Sequence, residues 1–236
     1  MKIVLCDDDI KTVEHFLSML KSFLSENSTY YEIDVYEDAS KLISDINNHV
    51  KKYDIYFIDI EMPVPGENVV KSIRRIYPDA LCTFLSDYPQ HGFVACRINV
   101  NSYIYKDMKQ EEVNPELERL TEICHRRKLT FCFKTSDGND VTVKVCNIEY
   151  IESIKRRVVV HLVDNTRLEL EVSGYSLTSL NIMYEFEEFL RISRSYLLNY
   201  DCIKQLRPNK VTMMSGNTIK INKEQFQKIF DKAIES

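Results

Sequence analysis

The chain has 236 residues, of which 44% are hydrophobic, and a formal net charge of −5. That length suits two small domains better than one. No apolar run approaches the ~18 residues that a membrane-spanning helix needs, so no membrane partner is expected. Seven cysteines lie far apart without a C-x-x-C pair, and several sit in apolar runs. They predict reduced core thiols rather than a disulfide framework. With no basic segment and apolar signal region at the N-terminus, a cytoplasmic location is expected.

Charge is unevenly shared. Residues 1–125 hold 13 Lys+Arg against 22 Asp+Glu, whereas residues 126–236 hold 18 against 14. An acidic front and a basic back point to different partners, with a polyanion as a candidate for the second half.

The first half alternates two periods. Strands are predicted near 2–6, 31–36, 54–58, 81–85 and 102–105. In 10–25, Ile10, Val13, Phe16, Leu17, Leu20 and Leu24 form one helical stripe. Further helices are predicted over 39–49, 67–76, 90–98 and 115–126. Five strands interleaved with five helices predict a doubly wound α/β domain around a parallel sheet.

Two of these strands end in acid. Lys2–Cys6 runs into Asp7, Asp8 and Asp9, and Tyr53–Ile58 runs into Asp59 before Glu61, Met62 and Pro63. Open α/β sheets place ligand sites at such strand ends. If the two strands are parallel neighbours, their carboxylates converge and repel one another, and a hard oxygen-binding cation such as Mg²⁺ relieves the repulsion. The alternative is that Asp7 to Asp9 only cap the next helix.

From Leu129 the pattern changes to short alternating strands, predicted over 129–134, 141–145, 148–154, 158–162, 167–172 and 211–214. The turn residues Thr135–Asn139 mark a hairpin, and one helix-like segment spans 177–186. No helix-turn-helix pattern or zinc-ligand spacing is present.

The front half resembles the receiver domains of two-component response regulators. The family's acidic pair, phosphoacceptor, Ser/Thr and Lys read here as Asp7-Asp8, Asp59, Ser86 in Phe84-Leu85-Ser86, and Lys106 in Tyr103-Ile104-Tyr105-Lys106. The resemblance implies a flavodoxin-like five-stranded fold over residues 1–126. It implies Asp59 as nucleophile, with Mg²⁺ held by Asp8, Asp59 and the backbone carbonyl of Glu61, and Asp7 assisting. Ser86 and Lys106 would bond the phosphoryl oxygens, and Tyr103 matches the family's switch aromatic. Tyr103 as a plain core aromatic remains an alternative. Asp107 stands where the family has proline after the lysine, and Val64-Pro65-Gly66-Glu67-Asn68 replaces its usual Asp/Asn-Gly turn.

The back half, residues 127–236, resembles the LytTR DNA-binding domain. The resemblance rests on Ile148–Ser153, on Phe189-Leu190-Arg191-Ile192-Ser193-Arg194-Ser195-Tyr196-Leu197-Leu198-Asn199, and on Ile219–Lys223. Together the two halves resemble a LytR/AgrA-type response regulator. In that family loops and strand ends, not a helix, enter successive major grooves at tandem repeats. Carried over by position, Arg156 or its neighbour Arg157, Arg194 and Lys223 face bases. Arg191, Lys155, Lys204, Lys210 and Lys220 hold phosphates, while Ser195 and Asn199 look structural. Ser193 stands where the family often has His, and Asn222-Lys223 where it commonly has Ser-Arg.

The implied partners are a sensor histidine kinase, double-stranded promoter DNA, and a second copy on phosphorylation or on DNA. The implied function is a phosphorylation-switched transcription factor, not an enzyme. Two rivals stand beside it. One is a DNA-binding regulator that does not depend on phosphate. The other is an aspartyl-phosphate phosphatase, against which Glu61 occupies the position where such enzymes commonly carry Asp.

Overall fold

Apolar residues fill most positions of the strands 2–6, 55–59 and 81–86, because both faces of the sheet are covered there. The computed structural model describes residues 1–27, 30–88, 92–171, 173–183 and 188–235. The chain divides into two compact units, Met1–His125 and Arg126–Ser236.

In the first unit β1 (Lys2–Cys6), β2 (Glu32–Tyr36), β3 (Ile55–Asp59), β4 (Leu81–Ser86) and β5 (Ser102–Tyr105) form a parallel sheet in the order β2-β1-β3-β4-β5. Its helices are α1 (Ile10–Glu26), α2 (Ala39–Asn47), α3 (Gly66–Ile76), α4 (Gly92–Arg97) and α5 (Gln110–Lys128). Successive side chains on a strand point to opposite faces. Ile3, Leu5 and Phe57 therefore pack with Phe16 and Leu20 of α1 and Leu117 and Leu120 of α5. Val4, Tyr56 and Ile58 pack on the other face with Leu42 and Ile46 of α2 and Val69 and Ile73 of α3. This is the doubly wound three-layer domain the sequence predicts.

Two details depart from the expectation. Helix α5 begins at Gln110, not at Pro115, which lies inside it. Glu112 Oε2 accepts from the Lys109 amide at 2.8 Å, half of a capping box, and so starts the helix one turn earlier. At its other end the helix runs on past the predicted 126 to Lys128. Positions 90 and 91 of the helix predicted over 90–98 lie outside the described residues.

The second unit is built on a five-stranded antiparallel sheet. Its strands are β8 (Ile148–Ile154), β9 (Arg157–Leu162), β10 (Arg167–Glu169), β11 (Phe189–Arg191) and β12 (Tyr196–Asn199), ordered β10-β9-β8-β12-β11. A hairpin of β6 (Thr130–Lys134) and β7 (Asp140–Lys144) and a three-stranded sheet of β13 (Ile203–Arg207), β14 (Lys210–Met213) and β15 (Thr218–Lys220) complete it. Helix α6 (Leu177–Met183) packs with one core cluster, while α7 (Lys223–Glu235) contributes Ile229 to the other. The unit is mostly β, as predicted. Helix α7 and strands β11, β12, β13 and β15 were not expected. Position 172 of the strand predicted over 167–172, and 184–186 of the helix predicted over 177–186, lie outside the described residues.

The two sheets are tied by a buried acid. Glu149, fully enclosed on β8, accepts from both the amide and the hydroxyl of Ser215 in the β14–β15 turn. A buried carboxylate is tolerated only when it is bonded in this way.

Candidate functional sites

Sheet order decides where the acids of the first unit meet. The order reverses at β1, whose neighbours β2 and β3 lead away in opposite directions. The crevice at the carboxyl ends of β1 and β3 is thus the topological switch point. Asp7 follows β1 and Asp59 ends β3, and with Asp8 they bring carboxylate oxygens within 4.8 Å of one another. Asp7 and Asp59 are buried at 0% and 2% exposure, while Asp8 is exposed.

The three acids after β1 divide their work. Asp9 caps α1, accepting from the Lys11 amide and the Thr12 hydroxyl. Asp7 Oδ1 accepts from the Asp9 amide at 2.9 Å, which turns Asp7 Oδ2 inward. Capping therefore accounts for Asp9 but not for Asp7 or Asp8.

Lys106 reaches into the cluster from the end of β5. Its Nζ stands 2.8 Å from Asp7 Oδ2 and 3.0 Å from Asp59 Oδ1. Apart from that ammonium, these two buried oxygens have no partner among the described residues. Burial pushes both carboxyls above the ordinary aspartate value, against the opposing pull of Lys106. Burial also works to lower Lys106, but its bonds to Asp7 and Asp59 outweigh this and hold the ammonium above its ordinary value. Crowded, buried, all-oxygen donors fit a hard divalent cation of the Mg²⁺ kind. The Glu61 amide hydrogen-bonds the Asp59 carboxylate.

The loop after Asp59 is shaped by a glycine. A Cβ on Gly66 would lie 2.2 Å from the Asp59 carbonyl oxygen. The Gly66 amide donates to the Ile60 carbonyl at 3.1 Å, closing the turn that Val64 and Pro65 make. Sequence reasoning noted the unusual turn but missed this requirement, which only the close approach reveals.

Ser86 ends β4, buried, and its hydroxyl accepts from the Tyr88 amide at 3.1 Å. The Tyr103 hydroxyl donates to the Tyr88 carbonyl, so both residues hold the start of the loop after β4. No described peptide bond is cis, so the Lys106–Asp107 bond is trans. A cleft of about 240 Å³ adjoins the cluster, lined by Lys11, His15, Asp87, Lys106 and Asp107 among others.

In the second unit, register gathers two of the base-facing candidates. Strand β12 pairs with β8 so that Tyr196 opposes Glu152, and the Ser153 amide donates to the Ser195 carbonyl at 2.9 Å. The β8–β9 turn carrying Lys155 and Arg156 therefore lies at the same sheet end as the loop carrying Arg194. Both turn residues have positive φ, +48° and +70°. Such two-residue turns favour Asn-Gly, and left-handed backbone is costly for long side chains. A strained turn that presents two exposed cations is the kind of feature that gathers at binding sites.

The neighbours differ from Arg156. Arg157 bonds Glu169 at 2.8 Å. The Arg191 guanidinium is turned inward, bonding the Ser193 carbonyl and the Thr178 hydroxyl. Arg194 is exposed, in a loop shaped by Ser193, whose hydroxyl accepts from the amides of Ser195 and Tyr196. Asn199 is buried and bonds the Ile148 carbonyl and the Asp201 amide, a structural role.

Lys223 opens α7, exposed, just after a full capping box between Asn222 and Gln225. Lys228 of the same helix donates to the Arg191 carbonyl at 2.6 Å, which ties α7 to the end of β11. Lys204 lies on β13. On that three-stranded sheet Arg207 opposes Lys210, and Lys210 opposes Lys220. Like charges facing one another across strands destabilise a sheet unless an anion joins them. Arg207 was not singled out from sequence; only the register reveals the row.

Residues 138–233 match the family model of the LytTr DNA-binding domain. The chain is 26% identical over 162 residues to the sensory transduction protein LytT of Oceanobacillus iheyensis, covering 65% of each chain. It is 25% identical over 228 residues to accessory gene regulator protein A of Staphylococcus epidermidis, covering 87% of this chain and 90% of that protein. Among solved structures it is similar to the response regulatory domain of mrkE from Klebsiella pneumoniae, at 18% identity and TM-score 0.47, covering 53% of this chain and 99% of that one. A LytTr DNA-binding domain from Bacillus cereus matches at 21% identity and TM-score 0.38, covering 46% of this chain and 99% of that one. No helix among the described residues is long and apolar enough to cross a membrane.

Proposed function

We propose that this chain, a two-component response regulator of the LytR/AgrA type, is a transcription factor switched by phosphoryl transfer to Asp59. The observation that carries the reading is the convergence of Asp7, Asp8, Asp59 and Lys106 at the switch point of the first sheet. A carboxylate oxygen of Asp59 attacks phosphorus, the bond from phosphorus to the donor breaks, and an acyl phosphate forms. The donor is a phosphohistidine of a sensor kinase. Asp7, Asp8 and Asp59 would hold Mg²⁺, which supplies charge neutralisation at the phosphoryl oxygens. Lys106 exchanges its bond to Asp59 for one to the new phosphoryl group, and Ser86, still accepting from the Tyr88 amide, turns its O–H from the Tyr103 hydroxyl to the phosphoryl group. The second change frees one of the two bonds of the Tyr103 hydroxyl, which also donates to the Tyr88 carbonyl at the start of the loop after β4.

The second unit binds double-stranded DNA through Arg156, Arg194 and Lys223 at base edges. Lys155, Lys204, Lys210 and Lys220 lie along the backbone. Arg157 and Arg191, already bonded within the protein, support the loops beside them. Pairing of two chains on tandem sites raises occupancy through effective concentration alone. The reading places the chain in the cytoplasm, with no enzymatic activity of its own.

Mass spectrometry after incubation with a small acyl phosphate and Mg²⁺ tests the first half. One phosphoryl group on the wild type and none on Asp59→Asn is expected. Tighter binding of promoter repeats by the phosphorylated chain is expected with it. A phosphate-independent regulator is the second reading, favoured by Asp107 after Lys106 and by the altered turn at Gly66. Under it, Asp59→Asn and wild type bind DNA alike.

A further inference from the structure

Behind the DNA-facing end of the second unit lies a buried polar group that the proposed contacts do not use. His161 on β9 is 2% exposed, and its Nε2 lies 2.7 Å from Glu152 Oε1 on β8. The ring of Tyr150 stacks on the imidazole, with centroids 4.1 Å apart and planes 12° from parallel. Tyr196, opposite Glu152 on β12, hydrogen-bonds the same carboxylate. The other ring nitrogen, Nδ1, has no partner among the described residues.

The position of Glu152 gives this group its meaning. It lies three residues before Lys155 in the strained turn, and its partner Tyr196 directly follows the loop that carries Arg194. Glu152 thus stands at the base of both loops, and His161 bonds it from the strand on the far side of the turn. Buried ion-pair-like groups contribute little net stability, since apolar replacements of like volume are often neutral. In some systems they fix a geometry instead, and the geometry at hand is the spacing of the loops that carry Arg156 and Arg194.

We propose that His161 and Glu152 are positioning residues for sequence-specific DNA recognition, locking the Arg156 turn and the Arg194 loop at a fixed spacing. The inference rests on the reading of this unit as a DNA binder. The imidazole donates to Glu152 through Nε2 and stays neutral, because a proton on Nδ1 would be a buried donor with no acceptor. The groups that face it are Glu149, Tyr150 and Glu152 from β8, Arg167 from β10 and Tyr196 from β12. Burial lowers its proton affinity below the ordinary histidine value, outweighing the opposing pull of Glu152. A depressed histidine binds more protons unfolded than folded, so its contribution is complete above about pH 6.5 and is lost as pH falls towards the folded value.

The test uses the full chain and a pool of randomised double-stranded DNA, from which wild type enriches a preferred duplex. The readout is the ratio of affinity for that duplex to affinity for a scrambled one. His161→Leu is expected to lower the ratio about tenfold while leaving scrambled binding unchanged, because phosphate contacts remain. His161→Gln keeps a donor for Glu152 and is expected to restore most of the ratio. It is also expected to abolish the fall in ratio that wild type shows as pH drops below about 6.5. Should His161→Leu fail to fold, the pH profiles of wild type and His161→Gln decide alone. Equal profiles, or an unchanged ratio in a folded His161→Leu, overturn the positioning role. A wild-type chain that enriches no duplex overturns the DNA reading on which it rests.

Discussion

Gly66 and Asp59 are seated so closely that any side chain at position 66 would strike the Asp59 backbone. Backbone atoms cannot swing aside as a side chain can, so the strand end or the first turn of α3 must move. Gly66→Ala is expected to destabilise the first unit by about 1–3 kcal/mol, the usual range for overpacking. It should also slow phosphoryl transfer to Asp59 more than the stability loss alone explains. Urea unfolding and the rate of adduct formation measure the two effects separately.

Divalent cation should stabilise the same unit. Mg²⁺ that binds only the folded cluster adds RT ln(1 + [L]/Kd), or about 1.4 kcal/mol at tenfold excess over Kd. Asp8 is exposed and takes no part in the core. Asp8→Ala is therefore expected to raise the metal-free melting temperature slightly, by relieving repulsion on Asp59, and to abolish the further rise with Mg²⁺. Calorimetry with and without a chelator checks both.

A trade-off is expected at Arg156. Left-handed backbone costs a non-glycine residue about 1–2 kcal/mol, partly offset by the ~0.5–1 kcal/mol that glycine loses in chain entropy. Arg156→Gly should raise thermal stability by up to about 1 kcal/mol. Loss of a bidentate arginine contact should weaken specific DNA binding by about 1–3 kcal/mol. Arg157→Ala, which breaks only an exposed ion pair with Glu169, should change stability by less than about 1 kcal/mol.

The row Arg207, Lys210 and Lys220 yields a signature in salt. Each phosphate contact adds about 0.9 to the slope of log affinity against log salt. Lys220→Thr is expected to reduce that slope by about one and to weaken all sequences alike. Removing one of the facing cations should also stabilise the free protein by a few tenths of a kcal/mol. An unchanged slope would place the row away from DNA.

The α/β alternation, both acid-tipped strands and the LytTR motif were legible in sequence because each repeats a strong pattern over many residues. Three-residue strands such as β11 and β15 were not, since alternation cannot register in so short a run. Helix α7 did carry a signal, Phe226, Ile229 and Phe230 at helical spacing behind an Asn222-x-x-Gln225 cap, but expectation of a β domain obscured it. Pro115 misplaced the start of α5 because a proline inside a helix reads as its beginning. The inward turn of Arg191, the capture of Arg157 by Glu169 and the Glu152–His161 pair depend on strand register. Register is fixed by distant pairings that no local pattern announces.

The cluster around Lys106 also has a charge balance. Three carboxylates against one ammonium leave two formal negative charges in the pocket. A phosphoryl group arrives with about two more, so alone it meets a field of its own sign. A divalent ion cancels that field, whereas a monovalent ion leaves half of it. If Asp59 accepts a phosphoryl group as proposed, Asp7, Asp8 and Asp59 would hold a divalent ion that supplies this neutralisation, and a monovalent ion would supply only half of it.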